Sequence, residues 1–216
     1  VARVFAAAGA RTLLVARGAG PLQEFAAALP HATAYAADLS QTTEVARLAA
    51  DAPAVLDGPV EILINNAGIF TLAPVTSTDD ATIDAMLALN LAAPFRLLRA
   101  MLPAMRATAS GHVVTIGSVA DRTTFAENGL YSATKYGARA LHEVVRQELR
   151  GSGVRATLIS PGPTDTPLWD PVAPETRPGF TPRSAMLAPE SVADAVLYAV
   201  TRGDRVNIDE LRLSHS

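Results

Sequence analysis

His112-Val113-Val114-Thr115-Ile116-Gly117 is an almost unbroken β-branched run that ends in glycine and is followed at once by Ser118. A strand without polar alternation is covered on both faces, as strands of parallel sheets are. Glu61-Ile62-Leu63-Ile64-Asn65 repeats the pattern upstream. Working outward, the spacing predicts strands over Thr12–Ala16, Thr33–Ala36, Glu61–Asn65, His112–Gly117, Arg155–Ser160 and Val206–Asp209. Helical periodicity lies between them at Pro21–Leu29, Thr42–Ala50, Thr78–Ala107, Leu130–Arg150 and Pro189–Arg202. Strands alternating with helices in this way predict an α/β fold of three layers, a doubly wound Rossmann-type parallel sheet. No repeat or linker divides the 216 residues, so residues 1–216 are expected to form one domain. Residues 161–189 hold eight of the 15 prolines and read as a structured lid or binding loop.

Composition narrows the function. Eighteen basic against 21 acidic residues give a net charge of -3, which offers no general attraction for phosphate backbones or anionic lipid. No nucleic-acid or membrane partner is therefore expected. The absence of cysteine excludes a disulfide framework and a thiolate metal site, and no metal is expected. The N-terminus lacks a charged-then-apolar leader pattern, and the uncharged stretch from Ile62 to Thr78 is broken by Asn65, Asn66, Gly68 and Pro74. A cytoplasmic protein is the expectation. Of the 18 basic residues 17 are arginine and one is Lys135, so a lysine here calls for a reason beyond surface charge.

Tyr131-Ser132-Ala133-Thr134-Lys135 supplies one. Four residues apart on a helix, a phenol and an ammonium share a face, and the positive charge favours phenolate. A tyrosine moved toward neutrality is a usable general acid or base. Arginine would supply the charge but could not relay a proton. Ser118 follows a strand at its carboxyl end, where open α/β sheets bind ligands, and there it can hydrogen-bond a substrate oxygen. Asn65-Asn66-Ala67-Gly68 also follows a strand and permits close backbone approach. Asn90 stands inside the apolar helical stretch Met86–Leu91 and must be hydrogen-bonded if buried.

With these residues in view, the chain resembles the short-chain dehydrogenases/reductases in their single-domain form. Six motifs occur in the family's order: Asp38-Leu39, Asn65-Asn66-Ala67-Gly68, Asn90, Ser118, Tyr131-x-x-x-Lys135 and Pro161-Gly162-Pro163-Thr164-Asp165-Thr166. The resemblance implies hydride transfer between a nicotinamide cofactor and a carbonyl or secondary alcohol. It casts Tyr131 as general acid/base, and Lys135 as holder of the nicotinamide ribose that also depresses the phenol pKa. Ser118 would position the substrate oxygen, and the Asn90 backbone would hold a water in a proton relay. Asp38 and Leu39 would contact the adenine, Asn65, Ala67 and Gly68 would line the cofactor groove, and Pro161, Gly162, Thr164 and Thr166 would hold the nicotinamide end. Where NAD-dependent members carry an acid, this chain has Arg17-Gly18, and an arginine fork binds a 2′-phosphate, so NADP is favoured with NAD as the alternative. A homodimer or homotetramer is implied through the long helices.

The front end departs from the pattern. Val1–Ala10 reads as the end of a helix closed by Gly9, and the family's first strand and Gly-rich turn do not precede it. The expectation is that this central segment exists in the protein and lies outside these 216 residues, while the ending Val206–Leu211 completes the sheet. Two other readings stand beside the enzyme: a non-enzymatic dinucleotide-sensing or interaction protein on the same fold, and a sugar-nucleotide epimerase or dehydratase. The full Asn90, Ser118, Tyr131, Lys135 set argues against the sensor, and the lack of a large C-terminal substrate region argues against the epimerase.

Overall fold

The computed structural model describes residues 1–203 and 205–216. Its elements run α1 (Ala2–Ala7), β1 (Thr12–Ala16), α2 (Ala19–Ala27), β2 (Ala32–Ala36), α3 (Thr42–Val55), β3 (Ile62–Asn65), α4 (Asp80–Leu87), α5 (Ala93–Ala107), β4 (Gly111–Ile116), α6 (Gly129–Glu148), β5 (Val154–Pro161), α7 (Pro189–Val200) and β6 (Glu210–Leu213). All strand pairs are parallel, in the orders β2-β1 and β3-β4-β5-β6. Neighbouring side chains of β4 point to opposite layers, which is why the run at 112–116 shows no polar alternation. Val113 packs with Leu98 and Met105 of α5 and Val145 of α6, whereas Val114 packs with Phe5 of α1 and Val192 and Val196 of α7. Arg3 of α1 lies 5.0 Å above the Phe25 ring of α2, which joins those two helices on the second face.

The two sheets are not paired with each other among the described residues. This break falls between β1 and β3, where the resemblance puts a central strand. Both side-chain polar atoms of the buried Asn65, at the end of β3, lack hydrogen-bond partners. At the front end, Gly9 adopts φ +82° and Ala10 N–H reaches back to Phe5 O at 3.0 Å, so α1 closes as the sequence predicts.

Two expectations need correction. The last strand is Glu210–Leu213, not Val206–Asp209. Asn207 takes the place of a ladder residue with its side chain, accepting from Ala156 N–H and donating to Ala156 O, both at 3.1 Å, so backbone pairing starts only beyond it. The predicted helix Thr78–Ala107 is interrupted by a π-helical turn at Ala88–Ala92, and it starts at Asp80, capped by Asp79 through Thr82 N–H. The run Asp80–Ala107 is long and apolar enough to cross a membrane by composition, yet it buries Leu97, Leu98, Met101 and Met105 against neighbouring elements.

Two buried histidines form cross-links, one between strands of the sheet and one between the sheet and α6. His112 on β4 shares a hydrogen bond with Thr157 of β5 at 2.8 Å, and His142 on α6 shares one with Thr115 of β4 at 3.0 Å. The other ring nitrogen of each has no partner among the described residues. Burial disfavours their charged forms and lowers both pKa values to about 4. A depressed histidine pKa leaves stability intact above the unfolded value near 6.5 and removes it as pH falls from there toward 4. Urea unfolding should therefore show stability falling between pH 7 and pH 4.5, by roughly 1–2 kcal/mol per ring. The slope should shrink in His112→Gln/His142→Gln, and an equal slope in that variant would contradict this origin.

Candidate active site

Because every strand is parallel, β3, β4 and β5 release their chains on the same side, at Asn65, Ile116 and Pro161. Helix α6 completes the place. Its buried stripe runs through Val145, His142 and Ala138 and continues to Lys135, so packing the stripe carries the lysine to the end of β4. One turn earlier, Tyr131 emerges beyond that end. The Lys135 ammonium is buried and donates to Ile116 O at 2.9 Å. It lies 5.6 Å from the centre of the Tyr131 ring.

The ionisation differs from the expectation. Burial pushes the Tyr131 phenol up to about 12, with the neighbouring Ser118 hydroxyl pulling it down and the Asp121 charge pushing it up. Burial likewise brings Lys135 down to about 8, against an upward pull from Asp121. Desolvation is the largest influence on both groups, so at neutral pH the phenol keeps its proton.

Ser118 opens a short 3₁₀ turn, Val119–Asp121, through a reciprocal capping box. Its hydroxyl accepts from Ala120 N–H at 3.1 Å, and Asp121 Oδ2 accepts from Ser118 N–H at 3.1 Å. Asn90 is buried in the π turn and fully engaged, as its burial demands. Its Oδ1 accepts from Ile69 N–H at 2.8 Å, and its Nδ2 donates to Ile69 O at 2.9 Å and to Thr134 Oγ1 at 3.2 Å. Thr134 in turn donates to Tyr131 O at 2.8 Å. Asn90 thus fastens the loop after β3 to the first turn of α6. A Cβ on Gly68 would approach Asn90 Oδ1 to 3.2 Å, so the glycine keeps this junction close.

Phe70 stacks edge-on against Tyr131 at 4.8 Å and against Trp169 at 5.2 Å, which draws the 161–189 segment over the phenol. Phe125 and Leu168 are exposed and stand outside this stack. Within that segment, Gly162 N–H donates to Leu213 O at 2.8 Å, Thr164 Oγ1 donates to Gly162 O at 3.0 Å, and Thr166 precedes the short turn carrying Trp169. Pro161 is the buried last residue of β5, opposite Leu213.

The adenine-side candidates lie apart, at the ends of β1 and β2. Arg17 is exposed beside Asp38, whose carboxylate accepts from Ser40 N–H at 2.9 Å and Ser40 Oγ at 2.7 Å. These bonds, with Arg17 nearby, hold the Asp38 carboxyl below its ordinary range. Leu39 is a correction in part, because its side chain is buried with Val45 and Leu48 of α3 and leaves only its backbone for a ligand. Ala67 is exposed and Gly68 half-buried at the end of β3.

A dinucleotide fits what is present. Of the three Lys135 N–H donors one is committed to Ile116, which leaves two for vicinal hydroxyls in a buried setting. The unpartnered Asn65 amide, half-buried Gly68 and exposed Ala67 and Arg17 continue toward β1. Sequence reading missed Asp121, Arg122, Ser160 and Glu210, which form a connected polar group behind Ser118. The Ser-x-x-Asp spacing of 118–121, a capping-box signature, is the signal that could have found the first of them.

Comparison with known proteins follows the same lines. The family described as short chain dehydrogenase matches residues 1–177. An uncharacterized oxidoreductase of Staphylococcus haemolyticus is 34% identical over 174 residues, covering 81% of this chain and 72% of that protein. Another, from Staphylococcus epidermidis, is 30% identical over 216 residues, covering 99% of this chain and 90% of its own. Among solved structures, a metagenomic short-chain oxidoreductase in complex with NADP has a TM-score of 0.81 at 31% identity, covering 100% of this chain and 90% of that one.

The Asn90 junction yields a direct test. Asn90→Ala removes three hydrogen bonds and strands the Ile69 N–H and C=O groups, so urea unfolding should report a loss of about 2–4 kcal/mol. A loss below about 0.5 kcal/mol, the level of an ordinary surface substitution, would show that the junction is not holding α6.

Proposed function

The chain belongs to the short-chain dehydrogenase/reductase family, and from that membership we propose that it is an NADP-dependent oxidoreductase acting on a small carbonyl or secondary-alcohol substrate. The observation that carries this is the convergence of the Tyr131 phenol, the Ser118 hydroxyl and the Lys135 ammonium at the end of β4. Lys135, Gly68, Asn65, Ala67 and the backbone of Leu39, with Asp38 at the adenine end and Pro161, Gly162, Thr164 and Thr166 at the other, would hold the dinucleotide. When bound, its nicotinamide supplies or takes up the hydride.

The protein's part is orientation and the proton. Ser118 Oγ already accepts from Ala120 N–H, so its own proton is free to be donated to a substrate oxygen. Tyr131, protonated at neutral pH, delivers a proton to that oxygen as a carbonyl becomes an alcohol. Lys135 stabilises the phenolate left behind. Pro94 has no N–H to offer the Asn90 carbonyl, to which the family resemblance gives the role of holding a relay water. We read residues 1–216 as one catalytic domain and 161–189 as its substrate lid, with Trp169 and Phe70 closing an apolar wall beside the phenol. Half-exposed Phe95 of α5 and Tyr136 and Val144 of α6 suit self-association into a dimer or tetramer. A cytoplasmic setting accords with this reading. Non-enzymatic dinucleotide sensing is the second reading, and it leaves the buried phenol and lysine without a task.

NADPH and NADH oxidation against a panel of ketones, aldehydes and diketones is the test. Wild type should turn over, and Tyr131→Phe should bind dinucleotide with turnover lowered about 10²-fold or more. Binding without turnover in both proteins, across the whole panel, would favour the sensor. Arg17→Ala should weaken NADPH about tenfold and leave NADH unchanged, since it removes a phosphate contact. The reductive rate should hold level at neutral pH and fall as pH rises through about 8, where Lys135 loses its charge.

A further inference from the structure

Behind Ser118 lies a charged group that the proton-transfer scheme does not use. Asp121 is fully buried at the end of the 3₁₀ turn. Its Oδ2 accepts from Ser118 N–H at 3.1 Å and from Ser160 Oγ of β5 at 2.5 Å, and its Oδ1 accepts from Arg122 Nε at 2.8 Å. Arg122 also donates to Ser160 Oγ at 3.2 Å and forms an ion pair with Glu210 of β6. A Cβ on Gly117 would overlap the Asp121 carboxylate and lie 2.9 Å from Ser160 Oγ, so the glycine leaves room for this charge. Burying a carboxylate is costly unless it is paired and saturated with donors, and here three donors from three side chains or backbone groups converge on it. Capping a three-residue turn would not require a charge; a serine or asparagine does the same.

We propose that Asp121 is a positioning residue for the reaction: its carboxylate, clamped by Arg122 and Ser160, fixes the Ser118 backbone so that the Ser118 hydroxyl faces the Tyr131 phenol and the substrate oxygen. The inference rests on the reading of Ser118 and Tyr131 as the groups that meet the substrate oxygen. The geometry forms a chain across three elements, from Glu210 on β6 through Arg122 and Asp121 to Ser118 in the 3₁₀ turn and then to Tyr131 on α6. Rotating the carboxylate would release the Ser118 N–H and with it the turn that directs the hydroxyl. The same charge acts on the pair at the front of the site. The ionisable groups around it are Tyr131 and Lys135 on α6, Arg122 beside it and Glu210 on β6, and its negative charge favours the protonated forms of the phenol and the lysine.

The test is a double-mutant cycle on the intact protein, read by steady-state kinetics with NADPH and a ketone found to be turned over. Asp121→Asn keeps the shape and removes the charge. It should lower kcat about tenfold, leave the KM for NADPH within about twofold, and move the alkaline limb of the reductive pH profile to lower pH by about half a unit or more. In a Ser118→Ala background the same change should cost less than about twofold, because the group it positions is gone. Equal costs in both backgrounds, with an unmoved limb, would overturn the proposal. If Ser118→Ala and Tyr131→Phe keep wild-type turnover, the underlying reading of the site fails and takes this inference with it. If those two lose activity while Asp121→Asn keeps wild-type kcat and pH limb, only the Asp121 inference falls. Should Asp121→Asn fail to fold, Glu210→Gln, at the outer end of the chain, decides: a limb moved to lower pH supports the proposal, and an unmoved one overturns it.

Discussion

The hydrogen bond from the Lys135 ammonium to the Ile116 carbonyl joins the first turns of α6 to the last residue of β4, and the geometry of the site follows from it. A lysine stem can be buried cheaply, but its charged end cannot, so the helix is held where an acceptor is available. The end of a parallel strand offers one, since beyond Ile116 the chain turns away at Gly117 and Ser118. Once α6 is fixed in this register, Tyr131 must stand one turn further out, above the sheet. Thr134 must face Asn90, and His142 must meet Thr115 lower on the same strand. One contact thereby sets the placement of three further polar side chains along the helix.

Desolvation is the dominant electrostatic effect on the buried groups along β4 and α6. It neutralises the two core histidines, keeps the phenol protonated and weakens the lysine's hold on its proton. Asp121 is the counterexample, a buried carboxylate surrounded by donors from the backbone of Ser118 and the side chains of Ser160 and Arg122. The site therefore combines groups on which burial acts against the charged form with a carboxylate enclosed by three donors. The spatial order of these groups, from Glu210 at the outside to Tyr131 at the front, alternates in sign until it reaches the neutral phenol.

Much of this was legible in the residues. The apolar runs at 62–65 and 112–116 announce strands covered on two sides, and the Tyr131, Lys135 spacing announces a shared helical face. What was not legible follows from three-dimensional competition. Thr78–Ala107 reads as one helix because its apolar period is continuous, and the π turn at Asn90 arises from that side chain binding a loop 21 residues away. Val206–Asp209 reads as a strand because it contains two β-branched residues in alternation, Val206 and Ile208, but Asn207 uses its side chain in place of a backbone pair. The phenol's acidity was misjudged because spacing reveals which charges are near, and not how much water has been removed. Asp121 was passed over because an acid after a serine looks like a cap until its other partners come from β5 and the adjoining arginine.

The choice of arginine everywhere except at residue 135 has a consequence for how this protein titrates. Arginine does not deprotonate in proteins, so 17 of the 18 basic side chains hold their charge throughout the alkaline range. There is no thiol to ionise, and burial raises the phenols of Tyr35 and Tyr131 above the usual value. Between the histidine and tyrosine ranges, side-chain proton release is left to the single ammonium buried behind Ile116. A bulk proton-release curve, which in most proteins averages over a crowded lysine surface, reduces here to two amines, that of Lys135 and that of the N-terminus.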